Sequence, residues 1–368
     1  MSLVNKTRHW AKFILNTGIA LTSLAISLLT AEWFVRTYMP CPDYGGGKRP
    51  ALYSHLFEYD EQLGWKGVPN IRSPYYSKDF KVTISHDAFG YRNIYPPYVA
   101  GKDNYLLLGD SYGWGWGVED NETAAAVFNQ RHSDINLYSL GIPGYGTDQE
   151  YLAMQKFLAA RKDQKYKGVI LLFYYNDFEN NGLAESYLYP KPFFSLDEHN
   201  VLSLNNIPVP KKDIPQDKPV TLIPVQDDPL RKYQLLTLAL DGLVRSIGFI
   251  TSIGEPEPEK TPVKISDWEK KNQALTAAII HQMQTACLNA NMDFHVVFLM
   301  TQNTDEHPGT MITELARELD PFHVDYSFFY SRKFPRTDLW LDTHYTPYGQ
   351  ALLAKHIAGV ITHQQHSP

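Results

Sequence analysis

Four short apolar runs, separated by segments of helical character, constrain the fold of this 368-residue chain more than any other feature. Each run is rich in aliphatic or aromatic residues and is bounded by turn formers, as β-strands are. Continuous apolar strands are typical of a parallel sheet that is covered on both faces. The predicted strands are 104–109, 134–141, 168–176 and 293–300, and a further strand is predicted at 81–86, within an edge region that spans 50–100.

Helical segments alternate with these runs, which favours an α/β architecture. In one of them, Leu275, Ile279, Met283 and Cys287 recur at i, i+4 spacing and share the face that would pack on a sheet. The predicted helices are 122–130, 148–162, 266–290 and 349–363.

A long insertion at about 185–265 interrupts this order. It is rich in proline and contains one segment of helical character, 228–249. Insertions of this length are often lids or docking surfaces. An inert surface excursion is an equally good interpretation.

Residues 13–31 form a charge-free apolar run of about the length of a transmembrane helix. Lys6, Arg8 and Lys12 precede it, so the positive-inside rule places everything after the run on the periplasmic or extracytoplasmic side. A cleaved signal peptide is the alternative, but residues 29–32 lack the small-x-small cleavage pattern. We therefore expect an uncleaved, single-pass inner-membrane anchor. The predicted organisation is a cytoplasmic tip and anchor (1–36), a linker (37–55) and a globular domain (56–365).

Composition excludes several classes of function. A net charge of −6, a pI near 6.1 and the lack of a lysine or arginine cluster exclude a nucleic-acid-binding surface. Cys41 and Cys287 are too few for a disulfide framework or a cysteine-rich zinc site, although a single bridge is possible. The glycines at 113, 115 and 117 do not have the spacing of a dinucleotide fingerprint. We expect neither a metal nor a cofactor.

Ser111 directly follows the first predicted strand of the sheet, in Gly109-Asp110-Ser111. A serine in this position lies where parallel sheets present ligands, and a base can convert its hydroxyl into a nucleophile. His344 is the candidate base, because Asp342 stands two residues before it and can fix the imidazole tautomer. Taken alone, an Asp-x-His pair is common by chance, and such a histidine is more often structural.

Gly144 and Asn176 follow the second and third predicted strands. A glycine lets its backbone N–H approach a reacting group closely, and an asparagine amide donates hydrogen bonds. Both can stabilise the negative charge that develops on an attacked carbonyl. Taken singly, the glycine indicates a turn and the asparagine a helix cap or an Asx-turn. Three successive strand ends nevertheless deliver Ser111, Gly144 and Asn176 to one rim, which chance explains poorly.

The order of these blocks resembles the SGNH (GDSL-type) hydrolase superfamily. The segments LLLGDSYGWGWGVED, GIPGYGTDQEYL and LLFYYNDFENN, with 61-EQLGWKGVPN-70 and 86-HDAFGYRN-93 upstream, are similar to its membrane-anchored bacterial branch. The resemblance covers most of residues 55–360 and implies a flavodoxin-like three-layer α/β/α sandwich.

The same resemblance implies the roles of the site residues. Ser111 would be the nucleophile, His344 the base and Asp342 the residue that orients it. The oxyanion hole would consist of the N–H groups of Ser111 and Gly144 and the side chain of Asn176.

The chain departs from the family pattern in three places. Its final block is Asp-x-His rather than Asp-x-x-His, Ser139 stands where an asparagine is usual, and Tyr174 stands where a glycine is usual. The shortened block with a following aromatic is similar to the alginate O-acetyltransferase type, which favours acyl transfer on a polysaccharide. Trp114 and Trp116 offer flat apolar surfaces for a sugar, although simple packing beneath the insertion explains them equally well.

These features predict a membrane-anchored serine esterase or O-acyltransferase. Its substrates would be acyl esters such as O-acetylated glycans, and it would act through an acyl-serine intermediate. The alternative is a non-catalytic scaffold or glycan-binding subunit of a membrane complex, because a fold does not guarantee an activity.

Overall fold

The computed structural model describes residues 3–38, 55–76, 80–93, 99–187, 189–212, 265–301, 307–331 and 344–366. Cys41, Asp338, Asp342 and the predicted helix at 228–249 lie outside these ranges. The described helices are α1 (Leu3–Tyr38), α2 (Ser111–Trp114), α3 (Ala124–Arg131), α4 (Thr147–Ala160), α5 (Asn176–Asn180), α6 (Asp267–Asn289), α7 (His307–Leu319) and α8 (Pro347–His366).

The strands are short and numerous. They are β1 (Phe57–Asp60), β2 (Gly64–Gly67), β3 (Arg72–Tyr76), β4 (Lys81–Ser85), β5 (Asp103–Leu108), β6 (Ile135–Ser139), β7 (Gly168–Phe173), β8 (Glu185–Ser186), β9 (Tyr189–Pro190), β10 (Phe193–Leu196), β11 (Leu202–Asn205), β12 (Asp293–Met300) and β13 (Asp325–Tyr330).

Helix α1 belongs to a separate unit and is described by itself. It spans the whole of the predicted anchor run, and Phe13, Leu21 and Leu29 are among the large apolar side chains that are exposed along it. Across the residues that the structure describes, no helix meets the length and mean hydropathy of a membrane span.

Five parallel strands form the central sheet, in the spatial order β6-β5-β7-β12-β13. Counted along the chain, this is the order 2-1-3-4-5 that is typical of flavodoxin-like folds. The predicted α/β class and the four predicted sheet strands are confirmed. Strand β13 was not predicted, because its partly exposed sequence DYSFFY lacks the continuous aliphatic character of the other four strands.

Side chains of the central strands enter two separate apolar clusters, as expected for a sheet with both faces covered. On β5, Leu106 and Leu108 belong to one cluster, and Tyr105 and Leu107 belong to the other. The first cluster includes side chains of α4, α6 and α7, and the second includes side chains of α3 and α8. The result is a three-layer sandwich. The predicted apolar face of α6 is buried in the first cluster.

Small hairpins surround this sandwich. β1 pairs with β2 and β3 with β4, and Trp65 at the first of them donates from its Nε1 to the Pro143 carbonyl beyond β6, at 3.2 Å. The predicted strand at 81–86 corresponds to β4. The insertion begins with two further hairpins, β8–β9 and β10–β11, which the sequence did not predict because their strands are only two to four residues long.

Candidate active site

A tight turn between β5 and α2 presents Ser111 at the carboxyl edge of the sheet. Asp110 caps α2, since its Oδ1 accepts a hydrogen bond from the Tyr112 N–H at 2.9 Å. At the other end of α2, Gly115 has a φ of +81°, and a methyl group there would lie 2.7 Å from Thr123 Cγ2. An acid before Ser111 thus begins the short helix α2, and a glycine four residues after Ser111 ends it.

The hydroxyl of Ser111 lies 2.8 Å from Nε2 of His344, although 233 positions separate the two residues in the chain. The imidazole is held between two aromatic rings. Its centroid is 5.0 Å from that of Tyr112 and 5.2 Å from that of Trp116, with interplanar angles of 28° and 27°. In this geometry Nε2 can accept the Ser111 proton. The residue predicted to orient His344, Asp342, lies outside the described residues.

Asn176 lies at the start of α5, directly after β7, and its Nδ2 donates to Oδ2 of Asp110 at 3.1 Å. β5 and β7 are neighbours at the point where the strand order reverses, which is where open α/β sheets bind ligands. The second N–H of the same amide can still donate to another group. Burial raises the pKa of Asp110, despite the hydrogen bonds that it accepts from Tyr112 and Asn176.

The loop that contains Gly144 runs alongside the nucleophile turn. Hydrogen bonds from Leu140 N to Leu107 O (2.7 Å) and from Ile142 N to Gly109 O (3.2 Å) extend the pairing beyond β6. Gly141 packs so closely on this turn that a methyl group there would lie 2.3 Å from Trp114 N. Gly144 itself has a φ of +80°, a conformation that favours glycine. Gly144 thus lies in a loop that pairs with the turn around Ser111, and its role as an oxyanion donor stays a prediction.

Trp114 does not offer a surface for a sugar, contrary to the sequence expectation. It is 1% exposed, and its Nε1 donates to Nε2 of His86 at 3.3 Å. Its ring packs against Phe57 and Tyr75, in the hairpin region before the sheet. Trp116 is partly buried, and its ring contacts are with His344, Tyr75, Phe80 and Trp114. The two tryptophans thus differ: Trp114 contacts His86, and Trp116 contacts the candidate base His344.

Arg92 and Asn93 support both loops of the site, and the sequence analysis did not single them out. Arg92 is 4% exposed and donates to the carbonyls of Gly115 (2.7 Å) and Val118 (2.9 Å), both in the loop after Ser111. Asn93 exchanges two hydrogen bonds of 2.8 Å with the backbone of Ser139, where the Gly144 loop begins. Their only signal was the family-like segment 86–93, because neither residue type indicates a loop support by itself.

Buried carboxyl groups lie behind the rim. Glu150 is 1% exposed, and neither of its carboxyl oxygens has a hydrogen-bond partner among the described residues. Burial raises the pKa of Glu150 and of Asp177 well above the usual range, and the proximity of the other acids adds to the shift. Asp148 differs from them because it forms a fully buried ion pair with Lys191. In the described part of the chain, no group of three or more acids, histidines or cysteines has the arrangement of a metal site.

A hydrogen-bonded serine and histidine at the carboxyl edge of a parallel sheet, with amide donors on neighbouring loops, is the arrangement of serine ester hydrolases. Neither a protein-family model nor a curated protein matches the sequence.

Among solved structures, the chain is similar to several GDSL-type lipolytic proteins and esterases. A member of the lipolytic G-D-S-L family from Veillonella parvula shows 9% identity and a TM-score of 0.39, over 70% of this chain and 98% of that one. The esterase EstA from Pseudoalteromonas shows 12% identity and a TM-score of 0.38, over 72% and 100%. The acetyl xylan esterase Est2A from Butyrivibrio proteoclasticus shows 11% and 0.38, over 73% and 65%.

These neighbours include the family that the sequence motifs indicated.

Proposed function

We propose that this protein is a serine esterase or O-acyltransferase of the SGNH type that acts on acyl esters. The observation that carries the proposal is the 2.8 Å contact between Ser111 Oγ and His344 Nε2 at the strand-order switch point. Asn176, linked to Asp110 at the same edge, supports it, because an amide donor there can face a developing oxyanion.

In the proposed reaction, His344 Nε2 takes the hydroxyl proton while Ser111 Oγ bonds to the ester carbonyl carbon. The carbonyl oxygen gains negative charge and accepts hydrogen bonds from the N–H groups of Ser111 and Gly144 and from Asn176. His344 then returns the proton to the alcohol oxygen as the bond between carbon and that oxygen breaks, which leaves the acyl group on Ser111. Attack by water releases the acid, and attack by a glycan hydroxyl would transfer the acyl group instead.

The finer parts of the proposal concern location and substrate. Attachment to the membrane through residues 13–31 is supported by the exposed apolar side chains of α1 and by the three cations that precede the run. An O-acetylated glycan substrate is supported by the shortened Asp-x-His block and by the aromatic residue Trp116 beside His344.

The test is covalent labelling with a fluorophosphonate, combined with hydrolysis of p-nitrophenyl acetate. In labelling, Ser111 Oγ bonds to phosphorus, fluoride leaves and His344 takes the proton. Ser111→Ala should abolish labelling and lower turnover by at least about 10³-fold, because a nucleophile acts as a unit with its base. Ser203→Ala, at an exposed serine on β11, is the matched control and should behave as wild type.

Two outcomes would decide against the proposal. Wild-type protein that neither labels nor turns over ester would favour the non-catalytic scaffold. Turnover that survives in Ser111→Ala would mean that another residue is the nucleophile. For active protein, mass spectrometry of an oligosaccharide incubated with an acetyl donor separates transfer from hydrolysis.

A further inference from the structure

Tyr187 stands at the tip of the β8–β9 hairpin, where the long insertion begins, and its ring reaches the loop that contains Gly144. A methyl group placed on Gly144 would lie 2.7 Å from Cε2 and 2.8 Å from Cδ2 of that ring. The ring therefore lies directly on the glycine that supplies an oxyanion donor in the proposed mechanism. The insertion thus contributes a side chain to the rim of the candidate site.

The backbone of Tyr187 is in an unusual conformation for a tyrosine. Its φ is +51°, and four of the other five described non-glycine residues with positive φ are asparagines, the fifth being a histidine. Asparagine tolerates this region well, whereas the backbone of a bulky residue is strained there. Strain of this kind is concentrated at functional sites. Folding alone would favour glycine or asparagine at position 187.

Tyr187 is also open to a ligand. The residue is 43% exposed, although one edge of its ring contacts Gly144. Its hydroxyl makes no hydrogen bond to another described residue and lies within electrostatic reach of Asp110, the residue before Ser111. Partial burial, with the nearby acids, raises the pKa of Tyr187 to about 12, so the phenol stays neutral at physiological pH.

The geometry of the proposed intermediate indicates what Tyr187 would contact. At the tetrahedral carbon, the oxyanion faces Gly144 and Asn176, and the leaving oxygen must face His344 Nε2 to receive its proton. His344 is packed between Tyr112 and Trp116. The acyl substituent therefore points away from the histidine, beside the oxyanion donors, where the ring of Tyr187 lies.

We propose that Tyr187 is a specificity-determining residue that limits the acyl group at Ser111 to short chains such as acetyl. This inference rests on the proposed esterase function and deepens it. In this proposal, the ring beside Gly144 leaves room for a methyl group and blocks a chain of several methylenes.

The experiment compares kcat/KM for p-nitrophenyl acetate and p-nitrophenyl octanoate in wild type and three variants. Tyr187→Gly removes the ring and also relieves the backbone strain, so it should fold at least as well as wild type. It should raise the octanoate-to-acetate ratio at least about tenfold, because several methylenes of the octanoyl chain can then be buried where the ring was. Tyr187→Phe keeps the ring and should keep the wild-type ratio.

Tyr330→Ala, at an exposed tyrosine on the far edge strand β13, is the control for loss of an unrelated tyrosine and should keep the wild-type ratio. If wild type and Ser111→Ala both lack turnover, the proposed function itself is wrong. If wild type turns over acetate in a Ser111-dependent way but Tyr187→Gly leaves the ratio unchanged, only the role of Tyr187 is overturned. A changed ratio in Tyr187→Phe would show that the hydroxyl, and not the size of the ring, sets the preference.

Discussion

At the scale of single residues, the site depends on how His344 is held. Its ring is stacked between Tyr112, the residue after the nucleophile, and Trp116, five residues after it. Both aromatic partners thus come from the segment that presents Ser111. This arrangement couples the position of the base to that of the nucleophile, so a shift of the turn would move both together.

The first prediction concerns the residue that orients this base, and it comes from the sequence. Asp342→Asn should lower turnover by up to about 10⁴-fold, because an amide would stabilise the wrong imidazole tautomer. Asp338→Asn is the matched control and should be nearly silent, since Asp338 lies six positions before the histidine. Esterase assays of the two variants test the assignment. The reverse ranking would show that the shortened Asp-x-His block works through a different arrangement.

Sequence reasoning could place residues that directly follow a strand, while the chemical roles assigned to them stay predictions. Ser111, Gly144 and Asn176 each follow an apolar run, and the parallel sheet brings these run ends to one edge. It left two interpretations open at Trp114, because whether a tryptophan is a binding surface or a core residue depends on the hairpins packed against it. It also missed Arg92, whose role is set by carbonyl groups more than twenty positions away.

At the scale of elements, the segment before the sheet supports the catalytic loop through Arg92. Its planar guanidinium bridges the Gly115 and Val118 carbonyls and Asp120 at 2.7, 2.9 and 2.8 Å. An ammonium group is compact and cannot span these acceptors. Arg92→Lys should therefore destabilise the protein by about 2 kcal/mol, as buried carbonyls lose their donors. It should also lower kcat about tenfold, a factor that corresponds to 1.4 kcal/mol. The reason is that Trp116, which stacks on His344, lies in the sequence between Gly115 and Val118 and would shift with them.

Thermal unfolding and esterase kinetics together test this second prediction. Arg161→Lys is the control, since Arg161 lies over the Phe89 ring at 4.3 Å and does not contact the catalytic loop. A variant Arg92→Lys that loses stability but keeps the wild-type kcat would show that Arg92 supports the fold without positioning the site.

The third prediction belongs to helix α1. Large exposed apolar side chains, including Ile19, Leu24 and Trp33, are unfavourable in water at about 25 cal/mol per Å². We therefore expect the mature protein to remain in the membrane fraction after alkaline carbonate washing and to keep residues 1–31. Intact-mass analysis of detergent-extracted protein measures this directly. A mature N-terminus near residue 32 would instead identify a cleaved signal peptide.

At the scale of the whole molecule, the alternation of strands and helices was enough to predict the class of the fold, but not its additions. The spatial order of the strands agrees with the family resemblance. The hairpins of the insertion were missed because two-residue strands such as β8 and β9 leave no periodic pattern. These hairpins bring the ring of Tyr187 against Gly144 and the buried Lys191 against Asp148.

The last prediction concerns the dependence of global stability on pH. Glu150 is buried within electrostatic reach of Asp177, Asp110 and Asp148, and the buried Lys191 is paired with Asp148. Its folded-state pKa lies well above that of the unfolded chain, about 4.3, so folding retains a proton. The stability from this group is complete below the unfolded pKa and is lost progressively as pH rises towards the folded pKa.

Glu150→Gln keeps the shape of the side chain but removes this titration. The variant should therefore gain melting temperature relative to wild type as pH is raised from about 5 to about 8. Glu198→Gln is the matched control, because its side chain is 89% exposed and the change should give a flat difference. Differential scanning calorimetry across this range tests the prediction. A difference between Glu150→Gln and wild type that stays constant or shrinks with rising pH would mean that Glu150 is ionised in the folded protein and has a compensating partner.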